Sequence, residues 1–290
     1  MGHCGVVVTT DDDGRLLDIR GDQNDPQTMG FACFKGMKAT ESHNSSERIL
    51  RPLKRAPDGE LVPVDPEQAL DEIAARTQLI IDRFGPEAIA GYKGGGAFFT
   101  SSSVMMLNSF LAGIGSPKAF SSVTIDQSSK AVALGRIGIW PAGRDPFNRG
   151  DVCLLVGANP LVTVSTNTFD NRNPVKRLKE ARARGMKLIV IDPRRTETAK
   201  FADVFLQPLP GEDPAVLACL IHIILDNDWQ DREFCAAHAG DLEQLRAAVD
   251  PFTPEYVARR AGVSVTDLVC AARAVSYTHL TLPTKESRGG

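Results

Sequence analysis

Residues 151–160 read DVCLLVGANP, and residues 186–217 read MKLIVIDPRRTETAKFADVFLQPLPGEDPAVL. Val152 to Val156 is a short apolar run closed by Gly157, which reads as a buried strand. Between the two stretches, Pro174 to Arg184 places Val175, Leu178 and Ala181 at helical spacing among Lys and Arg, and Gly185 stops that helix. Lys187 to Ile191 is a second buried strand and Val204 to Leu206 a shorter third. A further helix is expected from Asp213 or Pro214. Strands alternating with helices imply a parallel sheet joined by right-handed crossovers.

Ligands of such sheets bind where the strands end at their carboxyl edge. Those ends are Gly157, Asn159 and Pro160 in GANP; Asp192, Pro193, Arg194 and Thr196 in IDPRRT; and Pro210, Gly211 and Asp213 in PGED. Glycine lets backbone approach a ligand, an aspartate accepts from ribose hydroxyls or a purine edge, and arginine clamps a phosphate. Any one of these turns is ordinary, since Gly, Asn, Asp and Pro are what turns use. Their recurrence at three successive strand ends points to a nucleotide-like ligand.

The chain has 290 residues, 42% of them hydrophobic, and a net charge of −3. That is enough for one large or two ordinary domains. The near-balanced charge gives no reason to expect nucleic acid or an acidic partner. The longest apolar run, around Val216 to Leu225, contains His222 and is too short to span a bilayer. Cys153, Cys219, Cys235 and Cys270 fall within apolar patterns and read as core thiols, whereas Cys4 and Cys33 do not.

In chain order, the first 55 residues are Gly- and turn-rich. Gly5 to Thr9 is a strand, DDDG a hairpin turn, and Arg15 to Ile19 the return strand. Little here could build a core, and such segments usually need a metal or cluster as a staple. Spacing alone leaves Cys4 and Cys33 open between two unrelated cysteines and two ligands. Arg51 to Pro66, with four prolines, reads as a linker, and Pro66 to Phe84 as an amphipathic helix. Ala88 to Tyr92 is expected as a strand, with the glycines from Gly94 to Gly96 leading into a helix at about Ser101. Backbone donors there would form an anion site, although a glycine triplet is also just a flexible loop. Ser121 to Gly150 reads as irregular and polar, with Asp126, Gln127, Ser128 and Ser129 among its residues. Helices opened by Asp231, Asp241, Thr253 and Ser264 follow, forming a helical end.

Cys4-Gly5, RGD (Arg20 to Asp22), P-x-T-x-G (Pro26 to Gly30), C-F-K-G (Cys33 to Gly36) and RPLKR (Arg51 to Arg55) occur in that order. Together with GANP, IDPRRTETAKFAD and PGEDPAVL, they resemble the molybdopterin-dependent oxidoreductases. That group includes formate dehydrogenases, nitrate reductases and thiosulfate or polysulfide reductases. The resemblance runs from Met1 to about Ala274. It implies an α/β fold: a small β-rich cluster-binding segment, then Rossmann-like parallel-sheet domains with a helical subdomain. The domains expected on this basis are 1–55 for the incomplete cluster segment, 56–125 for the first part of an α/β domain, and 126–274 for dinucleotide binding.

The resemblance implies a bis(molybdopterin guanine dinucleotide) cofactor holding molybdenum or tungsten, and a 4Fe-4S cluster. Cys4 and Cys33 look like two cluster ligands, and Lys35 like the lysine between cluster and pterin. Gly94, Gly157, Asn159, Pro160, Asp192, Pro193, Arg194, Thr196, Gly211 and Asp213 look like cofactor contacts. Asp126, Ser128 and Ser129 are the available protein ligands for the catalytic metal, unless a non-protein oxygen or sulfur takes that place. The implied activity is two-electron redox on a small-molecule substrate, with electrons leaving through the cluster to an iron–sulfur subunit and a quinone-linked membrane chain. The compartment is left open between cytoplasmic and periplasmic, and the chain is expected to be inactive by itself.

This chain departs from the family's C-x-x-C-x-x-x-C pattern in having only its last cysteine, Cys4. Family spacing places the second cysteine in the codon immediately upstream of Met1 and the first three codons earlier. Val275 to Thr284 reads VSYTHLTLPT, which looks like translated library adapter, so 275–290 is set apart from the fold. A rival from another class is a non-catalytic cluster-bearing scaffold, as in respiratory NADH dehydrogenase. A plain Rossmann nucleotide enzyme is a weaker rival, because no G-x-G-x-x-G follows a strand.

Overall fold

The computed structural model describes residues 4–126, 128–138, 147, 150–162 and 173–280. The first strands, β1 (Val6–Thr10) and β2 (Leu16–Gly21), pair in a two-stranded sheet. The expected DDDG turn joins them: Asp11 N–H donates to Arg15 O at 3.0 Å, and Gly14 N–H to Asp11 O at 3.1 Å. Two short helices follow, α1 (Phe34–Met37) and α2 (Ala39–His43), neither with a buried residue.

The four-proline stretch expected as a linker is instead a hairpin. β3 (Leu53–Arg55) and β4 (Leu61–Pro63) pair antiparallel, with Leu53 opposite Pro63 and Arg55 opposite Leu61. Pro57-Asp58-Gly59 is its turn, closed by Ala56 N–H to Glu60 O at 2.8 Å. The prolines fit because they fall in the turn and at the strand's end, where no ladder donor is needed. Helix α3 (Pro66–Phe84) has the expected bounds, and the Asp65 carboxylate caps it by accepting from Glu67 and Gln68 N–H. None of its residues is buried, and Leu70, Ile73 and Leu79 are exposed.

β5 (Gly91–Lys93) and β6 (Ala119–Ser121) pair in parallel across the crossover helix α4 (Ser101–Ile114). β5 starts later than expected because Pro86–Ala88 forms a 3-10 turn. The stretch from Ser121 is less irregular than its polarity suggests: α5 (Val123–Asp126) and α6 (Ser128–Ile137) are helical. The Ala, Lys, Leu and Arg content of the second outweighs its opening serines.

β7 (Val152–Val156), β8 (Lys187–Ile191) and β9 (Val204–Leu206) form a parallel sheet in that order, with α7 (Pro174–Ala183) crossing between the first two. Alternation on β8 explains its unbroken apolar run: both faces are covered. Leu188 and Val190 pack with Leu155, Leu178, Ala181 and Met186. Ile189 and Ile191 face α8 (Asp213–Asp226) and the later helices, in a core with Val216, Cys219, Val257 and Leu268. Four helices follow among the described residues: α9 (Arg232–His238), α10 (Leu242–Val249), α11 (Pro254–Ala261) and α12 (Val265–Leu280). All four expected caps form: Asp231 to Phe234 N–H, Asp241 to Gln244, Thr253 to Tyr256 and Ser264 to Asp267. α12 continues through Leu280, so part of the suspected adapter stretch is helical, and Gln127 and the end of that stretch lie outside the described residues.

The chain divides into two compact units. The first includes Thr9–Asp18 and Lys38–Ala142; the second comprises Gly2–Val8, Ile19–Met37 and Gly143–Gly290. The segments bearing Cys4 and Cys33 therefore belong to the same unit as the three-stranded sheet.

Candidate functional site

The register of the three-stranded sheet aligns Val156 with Ile191, and Ile191 with Leu206. The GANP, IDPRRT and PGED turns thus leave one carboxyl edge, the place where an open parallel sheet binds ligands. Backbone bonds lock the turns together at their roots: Gly157 N–H donates to Ile191 O at 2.9 Å, and Asp192 N–H to Leu206 O at 3.1 Å. Gly157 (φ 59°) and Gly211 (φ 92°) occupy the left-handed region, and nothing lies within 4 Å of where a Cβ would be. Their requirement is conformational, and the space beside them is open.

The expected contact residues divide into two groups. Gly157, Pro193, Arg194 and Gly211 are exposed and Asp213 is half-buried, so these five can present groups to a ligand. Asp192 is only 8% exposed, and one of its carboxylate oxygens accepts from Arg194 N–H at 2.8 Å. Asn159, Pro160 and Thr196 act more as braces. Asn159 Oδ1 accepts from the Thr198 hydroxyl at 2.7 Å and from Thr198 N–H at 3.3 Å, while its amide donates to Glu197 Oε2 at 2.7 Å. Thr196 Oγ1 accepts from Ala199 N–H at 3.1 Å, and Pro160 is buried.

Three residues that the sequence did not single out hold this edge: Glu197, Thr198 and Gln207. Gln207 donates its side-chain amide to Pro193 O at 3.0 Å, tying the second turn to the third strand's end. The Glu197 carboxyl is held below the usual carboxylate range, first by a hydrogen bond from its own backbone N–H and then by the Asn159 amide. The cue for Thr198 was the TET run after a strand, where buried hydroxyls commonly bond to backbone.

Cys4 precedes β1, and Cys33 accepts through its carbonyl from Gly36 N–H at 3.0 Å at the start of α1; both are half-buried. Lys35 is exposed on α1. A cubane cluster takes four thiolates, so these two side chains fit as half of a ligand set. Among the described residues, no group of three or more His, Cys, Asp or Glu side chains could hold a metal ion.

In the first unit, Gly94 is exposed and caps a 3-10 turn, Gly95–Phe99. α4 begins at Ser101 as expected, and that turn fills the stretch between Gly94 and the helix. Asp126 ends α5, and the exposed Ser128 and Ser129 open α6.

The sheet edge brings polar groups of both kinds together. Asp213 offers a carboxylate, Arg194 a guanidinium that can meet an anion, and Gly157 and Gly211 open backbone for close approach, while Asp192 is largely buried beside them.

Comparison with known proteins gives the family. The family model described as molybdopterin oxidoreductase matches residues 48–274. The molybdopterin oxidoreductase Fe4S4 domain matches residues 2–45. The F420-dependent formate dehydrogenase 1 subunit alpha of Methanococcus maripaludis is 28% identical over 272 residues, covering 93% of this chain and 38% of that protein. A nitrate reductase of Symbiobacterium thermophilum is 30% identical over 289 residues, covering 94% of this chain and 37% of that one. Among solved structures, acetylene hydratase from Pelobacter acetylenicus superposes with a TM-score of 0.71 at 26% identity, over 93% of this chain and 36% of that structure. The chain thus spans well under half the length of these relatives.

Proposed function

The chain belongs to the molybdopterin oxidoreductase family, and on that premise we propose that it is part of the catalytic subunit of a molybdenum or tungsten enzyme carrying a bis(molybdopterin guanine dinucleotide) cofactor. The observation that carries the proposal is the alignment of three ligand-type turns on one sheet edge. When bound, the metal and its pterins supply two-electron redox chemistry, and the protein supplies binding and orientation. Asp192 and Asp213 accept from the guanine edge, Arg194 neutralises phosphate, and Gly157 and Gly211 admit backbone to the ligand. Asn159, Thr196 and Thr198 keep the turns in register.

Cys4 and Cys33 would be two ligands of a 4Fe-4S cluster, and Lys35 would be the lysine on the electron path from it. Asp126, Ser128 or Ser129 would be the protein ligand of the catalytic metal, unless a non-protein oxygen or sulfur takes that place, and Gly94 would be a cofactor contact. The cluster would supply electron transfer, with an iron–sulfur subunit as the partner. Among the described residues, no helix is long and apolar enough to cross a membrane. One relative is by name a hydratase, so the reaction is set by groups around the metal rather than by this edge. Residues 275–290 are adapter-derived in this reading, which the end of the family match at residue 274 supports.

The test uses the full-length protein that carries this chain. Replacing Asp192 or Asp213 with Ala removes a charge-assisted hydrogen bond worth roughly 1.5–3 kcal/mol. Metal content should fall about tenfold or more under limiting cofactor, with little change in unfolding midpoint. Full molybdenum or tungsten content in both variants would overturn the assignment. Absence of either metal from the wild-type protein would favour the non-catalytic scaffold.

A further inference from the structure

Between the two cysteines lies the turn Asp25-Pro26-Gln27-Thr28, whose carboxylate is bonded on both oxygens. Asp25 Oδ1 accepts from Gln27 N–H at 3.1 Å. Asp25 Oδ2 accepts from Thr28 N–H at 3.0 Å and from the Thr28 hydroxyl. These bonds close the turn on itself. A fourth reaches 20 residues back: Gly5 N–H donates to Asp25 Oδ2 at 3.1 Å. Gly5 is the residue after Cys4, and its carbonyl is held as well, accepting from Asp22 N–H at 3.0 Å.

Both backbone polar groups of Gly5 are therefore clasped by the 22–28 loop. The approach is close enough to require glycine, because a Cβ at Gly5 would lie 2.6 Å from Asp25 Cβ. Thr28 is fully buried beneath the clasp. The chain entering the loop touches the chain leaving it, since a Cβ at Gly21 would lie 2.0 Å from Gly30 O. Phe31 N–H then bonds Thr28 O at 2.9 Å, and Cys33 follows two residues later.

We infer that Asp25 and Thr28 are positioning residues for the iron–sulfur cluster: they fix the Cys4 segment against the Cys33 segment before any cluster binds. This rests on the reading of Cys4 and Cys33 as ligands. A thiolate carried on a preset backbone loses less freedom when it takes up iron, and it releases iron more slowly. Neither Asp25 nor Thr28 touches iron in this scheme. They act through the amide next to Cys4 and through the loop that leads to Cys33.

The test compares the full-length holoprotein with its Asp25→Asn, Thr28→Val and Thr28→Ser variants. Removing one charge-assisted bond from the clasp should speed iron loss to a chelator by about tenfold. Asp25→Asn and Thr28→Val should also change the line shape of the reduced cluster's electron paramagnetic resonance signal. Thr28→Ser keeps the hydroxyl and should match wild type in both measurements. Wild-type iron loss and line shape in Asp25→Asn would overturn the inference. So would Thr28→Ser behaving like Thr28→Val, or iron loss that merely tracks a lowered unfolding midpoint of the whole protein. If Asp25→Asn does not fold, the Val and Ser pair decides. Cys4→Ser and Cys33→Ser separate the two levels: full iron in both defeats the ligand reading itself, whereas iron loss in both with none in the Asp25 and Thr28 variants defeats only the clasp.

Discussion

Replacing Asn159 with Ala should destabilise the second unit more than any change at the exposed residues of the same edge. Asn159 Oδ1 is the acceptor for both the hydroxyl and the backbone N–H of Thr198, which is fully buried. Removing it strands two donors where water does not reach easily, at about 1–3 kcal/mol for each. The hydroxyl can rotate to another acceptor, so the sum falls near 2–3 kcal/mol. With a urea slope of about 2 kcal/mol per molar, the midpoint should drop by about 1 M, read by far-ultraviolet circular dichroism. Asn159→Asp is the informative companion. It keeps the acceptor for both Thr198 donors but sets a carboxylate against Glu197, whose Oε2 lies 2.7 Å from the Asn159 amide nitrogen. Its loss should be smaller and should shrink on acidification. The sign follows from Glu197, whose carboxyl is held low first by its own backbone N–H and then by Asn159. In the native chain that contribution is present above the ordinary carboxylate pKa and is lost as pH falls through the lowered folded value. In the Asp variant the same acidification instead removes a repulsion. An unchanged urea midpoint for Asn159→Ala, or equal losses for Ala and Asp at neutral pH, would refute the bracing role.

Two other outcomes can be checked directly. Burial pushes the Cys153 thiol up to about 11, and burial followed by the Glu255 charge does the same for Cys219, from an ordinary 9.0. Iodoacetamide at mild pH should therefore label exposed Cys270 well before either, as mass spectrometry would show. Because the unfolded thiols release protons first, stability should also decline as pH rises from 9.0 towards 11.

Much of the second unit was legible because its signals are local or doubly constrained. VCLLV, KLIVI and VFL show as apolar runs because both faces of the sheet are covered, and the turns between them carry Gly and Asp for conformational reasons. The caps at Asp231, Asp241, Thr253 and Ser264 bond within three residues of themselves, so sequence alone exposes them. The first unit was harder for the converse reason. Leu53, Leu61 and Val62 are strand residues that bury neither face, so the hairpin has no alternation to read. Its prolines then suggest a linker. Helix α3 carries a true apolar stripe, yet Leu70 is 66% exposed: periodicity reports a capacity for burial, not burial itself.

The candidate site shows a further limit, and it is chemical. Asn, Thr and Asp at a strand end can present a side chain to a ligand or turn it inward to hold the loop, and the sequence pattern is identical in both cases. Long-range geometry separates the two. Asn159 finds Thr198 across 39 residues, and Gly5 finds Asp25 across 20, distances no local window spans. Burial then sorts the edge: Thr196 and Thr198 are closed off, while Arg194 and Gly211 stand open. Motif residues that look like one contact list are thus two layers, one that can touch a cofactor and one that fixes where the touching residues stand. The same division applies near the cysteines, where the threonine of P-x-T-x-G is turned inward to a carboxylate.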